Sequence, residues 1–192
     1  MRIEDVVFGE KVRAVFAKHL ADELASDIAS PSEFMKKAWA KYPQGEKGMN
    51  GRVFEALLSV LFVRRGPQPL FAQAKLAFIP NVEFDFVLYS KEHGPIVLSA
   101  KTSLRERYKQ ADLEGMMLRQ VHRNSQSFLI TLNEKEANSV NAKIDSGDVL
   151  GLDKVVCADS NEFDCLIAHL ESLTFFKPPA IDVITSKHIL AA

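Results

Sequence analysis

Residues 81–123, NVEFDFVLYSKEHGPIVLSAKTSLRERYKQADLEGMMLRQVHR, decide how the rest of the chain is read. From Val82 to Tyr89 the residues alternate: Glu83, Asp85, Val87 and Tyr89 fall on one side, and Val82, Phe84, Phe86 and Leu88 make an unbroken apolar side. Ile96 to Lys101 alternates in the same way, Val97, Ser99 and Lys101 against Ile96, Leu98 and Ala100, so a strand otherwise fit for burial ends in a lysine. Ser103 with Glu106 three residues later is the pair that satisfies the free backbone donors of a helix start, and it predicts a helix from Leu104. Steps of three and four then put Ser103, Arg107, Gln110, Glu114 and Met117 on one stripe, and Leu104, Tyr108, Ala111 and Leu118 on its neighbour. With the polar stripe turned toward the strand ends, Asp85, Lys101, Arg107 and Glu114 converge.

That set suits phosphodiester hydrolysis. Mg²⁺ favours an octahedron of oxygens in which one or two carboxylates are completed by waters and substrate phosphate, so Asp85 and Glu114 are the candidate metal ligands. The Lys101 ammonium is placed to orient a water and offset charge developing at the phosphate. Arg107 can hold a phosphate through two parallel hydrogen bonds and is the candidate clamp. Each has a bland counterpart. Asp85 as a mere strand end is disfavoured, because acids are depleted in strands and both its neighbours are phenylalanines. Glu83, on the same side, competes with it as ligand. Lys101 alone would be an ordinary strand-end charge, and Glu106 is accounted for by capping.

The order acid, loop, strand ending in x-x-Lys, then helix resembles the PD-(D/E)XK nucleases, above all their type II restriction endonucleases. The resemblance runs roughly from Gly51 to Ala158. The family pattern has a carboxylate two positions before the lysine, where this chain has Ser99. In that respect it resembles the restriction enzymes that read S-x-K and take the missing glutamate from the following helix. Glu114, thirteen positions after Lys101, is similar in placement to that glutamate, and KTSLRERYKQ (101–110), with Arg107, is similar to their run. Pro80-Asn81 stands where the family has Pro-Asp, but apart from the acid. The resemblance implies an α/β restriction endonuclease-like core, a mixed sheet of about five strands flanked by helices, with Ser99 inside the site. It also implies a role for an acid on the helix preceding the first strand, here Glu55, in reaching a second metal or orienting water; the bland reading of Glu55 is a rim residue or salt-bridge partner.

Outward from this segment, 192 residues with 47% hydrophobic content argue one domain. It divides into an N-terminal helical extension (1–48), a catalytic core (49–160) and a C-terminal helix and tail (161–192). A net charge of −1 builds no general adhesion to nucleic acid into the molecule. Local asymmetry does exist: 101–123 is basic and 133–164 acidic. Arg105, Lys109, Gln110, Arg119 and Arg123 are therefore candidate DNA contacts, with a solvated face as the alternative. The start, MRIEDVV, lacks the apolar stretch of a secretory signal, and the longest apolar run, 56–63, is far short of the roughly 20 residues that span a bilayer, so no membrane and a cytoplasmic location are expected. Cys157 and Cys165, with no Cys-x-x-Cys, are expected to be reduced, buried thiols. His93 and His122 receive no role.

Helices are expected over Glu4 to Ala29, Ser32 to Lys41, Asn50 to Arg65 with Asn50 as its cap, Glu134 to Ile144 and Phe163 to Phe175. YPQGEKGMNG (42–51) reads as a loop, and it lacks the Gly-Lys-Ser/Thr of a phosphate-cradling turn. Strands are expected at Leu70 to Ile79, hairpin-paired with Val82 to Tyr89, at Ser127 to Leu132 and at Val155 to Ala158, while the tail from Ile181 to Leu190 has no assigned form. The function expected is a Mg²⁺-dependent, type II restriction-like endodeoxyribonuclease cutting double-stranded DNA at a specific site. A homodimer is expected because two-fold protein symmetry matches palindromic DNA. The alternatives are a non-specific repair or defence nuclease of this fold, and an inactive DNA-binding domain in which Ser99 marks lost chemistry.

Overall fold

The computed structural model describes residues 9–178, apart from 26, 29 and 78, and the backbone of a strand at Ile184–Leu190. Six strands, β1 (Leu70–Leu76), β2 (Phe84–Ser90), β3 (Gly94–Lys101), β4 (Gln126–Thr131), β5 (Lys154–Cys157) and β6 (Ile184–Leu190), form one sheet in the order β5-β4-β3-β2-β1-β6. The β2–β3 connection is three residues long and enters β3 through Gly94 at φ 73, a turn only antiparallel neighbours can use. β1 pairs antiparallel with both β2 and β6. β3, β4 and β5 run parallel, each step crossing over through a helix, as parallel pairing requires.

The helices are α1 (Glu10–Val15), which passes through a π-turn at Phe16–Leu20 into α2 (Ala21–Ala25), then α3 (Pro31–Lys41), α4 (Lys47–Arg65), α5 (Tyr108–Val121), α6 (Glu134–Asp145) and α7 (Asn161–Glu171). One side of the sheet carries the larger core, where Phe54, Leu58 and Phe62 of α4 and Phe163 and Ile167 of α7 meet Phe86, Leu98 and Ile130. On the other side Leu118 of α5 packs with Val87 and Val97, while Tyr108 and Ala111 pack with Leu129, Val155 and Val140 of α6. Helices on both faces of a mixed sheet are the architecture expected from the sequence, with the unassigned tail supplying a sixth strand.

The covering of both faces explains why Val87 and Val97, which alternation groups with Asp85 and Lys101, are themselves buried. α3 starts where Ser30 accepts from Glu33 N at 3.3 Å, with Pro31 in the first turn. Asp164 of α7 then accepts from Ser32 N (2.9 Å), Ser32 Oγ (2.6 Å) and Ser30 Oγ (3.2 Å), tying the N-terminal helices to the core.

Several boundaries differ from expectation for identifiable reasons. α4 begins at Lys47, inside the expected loop, because Asn50 is not its cap: Asn50 Oδ1 accepts from Tyr42 OH and Gly45 N, at 2.9 Å each, and closes the preceding loop instead. Cys157 is buried as expected, but Cys165 is on the exposed side of α7. The expected helical residues 4–8, 26 and 29 lie outside the described residues. Among the described residues no helix is long and apolar enough to cross a membrane.

Candidate active site

The site forms where β2 and β3 part. Their ladder closes with Phe86 opposite Leu98, and one residue further the Asp85 side chain takes the place a backbone carbonyl would fill. Its Oδ2 accepts from Ala100 N at 2.7 Å and from Lys101 Nζ at 2.9 Å. The two side chains keep only about a fifth of their surface exposed, 23% for Lys101 and 19% for Asp85, so their attraction is less screened than that of a surface pair.

Two further carboxyls feel this pair. Glu55, projecting from α4, is pushed up to about 7, first by burial and then by the negative charge of Asp85, with Lys101 and Arg52 pulling the other way. Glu114, on α5, is raised chiefly by burial; a 2.7 Å hydrogen bond from Gln110 and the Lys101 charge oppose this, and Asp85 adds to it. Asp85 and Lys101 are therefore in contact, and Glu55 and Glu114 lie near enough to feel the charges of both. A hollow of about 70 Å³ beside Asp85 is lined by Glu55, Arg52, Ser59 and Gln73. Ser99 lies on β3 two residues before Lys101, buried and without charge to offer. Glu83, the competing acid, is exposed and precedes the first residue of β2. Among the described residues no three Asp, Glu, His or Cys side chains already stand as a metal cage.

Arg107 is not drawn in. Its guanidinium folds back onto the Ser103 carbonyl, and onto Ser103 Oγ at 3.0 Å. The expected helix start fails for a tertiary reason: Glu136 of α6 accepts from Leu104 N at 2.6 Å and from Arg105 N at 3.4 Å, and Arg105 takes φ 43. Glu106, freed from capping, pairs with Lys109, and α5 begins four residues late at Tyr108. Arg105, Glu106 and Arg107 thus form an exposed turn on the rim of a groove of about 720 Å³, whose other walls include Trp39, Lys47 and Asn50. Of the remaining candidate DNA contacts, Lys109, Gln110 and Arg123 are exposed, whereas Arg119 is taken up by Asp153 (2.6 Å) and the Leu150 carbonyl (2.7 Å).

Sequence reasoning missed the fastening of α5. Asp112, two residues before Glu114, accepts from Leu150 N (3.0 Å) and Gly151 N (2.5 Å), and with Arg119 it clips the back of the helix to the loop before β5. The available signal was Gly115 in mid-helix, a residue whose cost there calls for a packing reason.

The Glu55 shift has a measurable consequence. A carboxyl whose folded value is raised above its unfolded one binds more protons when folded, so its contribution is intact below about 4.5 and is lost as pH rises through about 7. Glu55→Gln removes that loss. Discounted for solvent at this partly exposed group, the variant should gain roughly 1–2 kcal/mol over wild type at pH 8 and nothing at pH 4. Thermal melts at the two pH values, without divalent ions, check this; an equal change at both would refute the burial account.

Neither a family model nor a curated protein matches this sequence. By structure, the chain is similar to the restriction endonuclease PspGI, solved in a complex with substrate DNA: 17% identity, 88% of this chain and 82% of that one covered, TM-score 0.57. Metal-depleted Ecl18kI, in complex with uncleaved, modified DNA, aligns over 86% of this chain and 64% of that one at 16% identity, with a TM-score of 0.39. The first likeness establishes a restriction endonuclease-like fold.

Proposed function

We propose that this protein is a Mg²⁺-dependent endodeoxyribonuclease that cuts both strands of DNA at a specific site, working as a homodimer. The observation that carries the reading is the Asp85–Lys101 pair at the opening between β2 and β3, with Glu55 and Glu114 gathered round it. Three carboxyls around one lysine leave an excess of negative charge in a half-buried place, which a hard cation offsets. Asp85 uses Oδ2 for Ala100 and Lys101; Oδ1 has no bond among the described residues. Oδ1 and the Glu114 carboxylate supply the hard oxygens that suit Mg²⁺, and Glu55 stands near enough to take a share.

When bound there, Mg²⁺ polarises the scissile phosphate and acidifies its water. Lys101 holds the attacking water in line and balances charge as it develops on the phosphate. Arg105, Lys109 and Arg123 meet the phosphate backbone, and the exposed turn at Arg105 to Arg107 faces the duplex across the groove; Arg107 reaches a phosphate only by releasing Ser103. The homodimer rests on the outer side of α5, where Leu113, Met117 and Val121, spaced one turn apart, are among the few large apolar side chains left exposed among the described residues. Leu150, on the loop clipped to the same helix, is another.

The test is digestion of a long duplex with Mg²⁺. Discrete fragments of repeatable length, absent with a chelator, are expected. A smear would replace the site-specific enzyme by a non-specific nuclease of the same fold, and intact DNA at every divalent ion tried would leave a binding domain.

A further inference from the structure

The two strands that meet at Asp85 both change sides there. In β2, Phe86 and Leu88 pack in the core beneath α4, whereas Phe84 packs with Leu118 of α5. In β1, Leu70 and Ala72 belong to the first of these clusters, and Ala74 and Leu76 to the second. A regular strand keeps alternate residues on one face, so each strand rotates within a single residue, and those residues are Asp85 and Gln73. They lie opposite one another, between the paired positions Ala72 with Phe86 and Ala74 with Phe84. The pairing of β1 with β6 likewise passes from Ala72–His188 to Ala74–Ser186. Gln73 is held at φ 47, the left-handed region that side-chain-bearing residues avoid, within a strand. Strained backbone of this kind persists where surrounding structure enforces it, and it gathers at functional sites.

We propose that Gln73 is a positioning residue of the site, acting through its backbone. Its left-handed turn lets β1 stay paired with β2 while β2 rotates at Asp85. That rotation delivers the Asp85 carboxylate into the gap between β2 and β3, onto Ala100 N and Lys101 Nζ, instead of onto a face of the sheet. Gln73 also lines the hollow next to Glu55, so its backbone and its carboxamide must be tested apart. The inference rests on the nuclease reading for its kinetic consequence, and on geometry alone for its structural one.

Substitutions at position 73 separate backbone from side chain. Glycine and asparagine tolerate positive φ and valine resists it. Gln73→Val should therefore lower the cleavage rate by about 30-fold, the factor equivalent to roughly 2 kcal/mol, and raise the Mg²⁺ needed for half-maximal rate, with KM for DNA little changed. Gln73→Asn and Gln73→Gly should recover most of that loss. Independently of cutting, hydrogen exchange at the Ala100 amide should speed up in Gln73→Val and stay slow in Gln73→Gly, because that amide donates to Asp85. If Gln73→Gly loses cleavage as fully as Gln73→Val, or if the Ala100 amide is equally protected in both, the backbone role is overturned. If wild type does not cut while the Ala100 exchange follows this order, the nuclease reading falls and the positioning of Asp85 stands. A valine variant too unstable to study leaves Gln73→Ala, expected to fall between asparagine and valine in both measurements; equality with glycine would overturn the inference.

Discussion

Lys101→Ala should lower DNA cleavage by about 10³-fold, the scale on which a single donor aimed at developing charge acts in a hydrolytic site. Binding of DNA should weaken only modestly, with the salt dependence of the affinity reduced by about one phosphate contact. The loss is expected to be large because the ammonium has three tasks. It binds Asp85 Oδ2 at 2.9 Å, it moderates the raised pKa of both Glu55 and Glu114, and in the proposed mechanism it steadies the attacking water. Without it, nothing at that place offsets the Asp85 charge felt by Glu55 and Glu114, both hold their protons to higher pH, and the pH at which any residual cutting begins should move upward. Lys101→Met keeps the length of the stem without the charge, and should cut as poorly while melting closer to wild type. Single-turnover cleavage across pH 6 to 9, with binding followed in Ca²⁺, separates these effects. Cutting by Lys101→Ala within threefold of wild type would remove this lysine from the mechanism.

The pair at the centre of that prediction was legible because it depends on local rules. Alternation assigns sides within a strand whatever surrounds it, so an acid between two phenylalanines and a lysine ending an apolar run stand out. Glu114 was legible in the same manner, since its place on the helix follows from its distance along the chain to Tyr108, Ala111 and Leu118, which are buried. Asp85 itself marks the limit of the rule: the side-switch at Asp85 and Gln73 breaks the unbroken apolar face that alternation predicts for Val82 to Leu88, and Phe84 ends in the opposite cluster from Phe86.

What stayed illegible depends on partners distant in sequence. Ser103 and Glu106 satisfy a local helix-start rule, yet Glu136, some thirty residues on, takes the Leu104 and Arg105 amides and delays the helix. Arg107 consequently turns back to Ser103 instead of joining the acids. Asn50 fails as a cap through nearer partners, its side chain being claimed by Tyr42 and Gly45 of the preceding loop. Glu55 was singled out by family resemblance, because a lone acid on an apolar helix has no pattern of its own; only the fold brings it within reach of Asp85 and gives it its raised pKa. Fold class was easier to read than site detail because it sums many weak local signals, whereas each site contact turns on one pairing.

Gly151→Ala should be the most damaging substitution outside the site itself. α5 and the loop before β5 touch backbone to backbone: a Cβ at Gly151 would overlap the Asp112 carbonyl oxygen and lie 2.5 Å from Met116 N. A Cβ at Gly115 would overlap the Gly151 carbonyl oxygen and lie 3.0 Å from Ser127 Oγ. Neither neighbour is a flexible side chain that can swing aside, so helix or loop must shift bodily. The shift strains the bonds from Asp112 to Leu150 and Gly151 and from Arg119 to Leu150 and Asp153, which hold α5 at that height. Overpacking of this kind costs about 3 kcal/mol, and at 2–4 °C per kcal/mol for a chain of this size the melting temperature should fall by roughly 6–12 °C. Glu114 sits one residue from Gly115, so helix movement of about 1 Å displaces it relative to the Asp85–Lys101 pair and, in the proposed mechanism, should lower cleavage by about 10²-fold even where the protein is fully folded. Gly48→Ala, in the first turn of α4 where an added Cβ meets nothing, supplies the contrast: it should stabilise by roughly 0.5–1 kcal/mol and leave cutting alone. Melting curves paired with cleavage assayed well below each transition decide the matter. A Gly151→Ala protein that melts lower but cuts at the wild-type rate would mean that Glu114 needs no such fastening, and its part in holding the metal would fall with it.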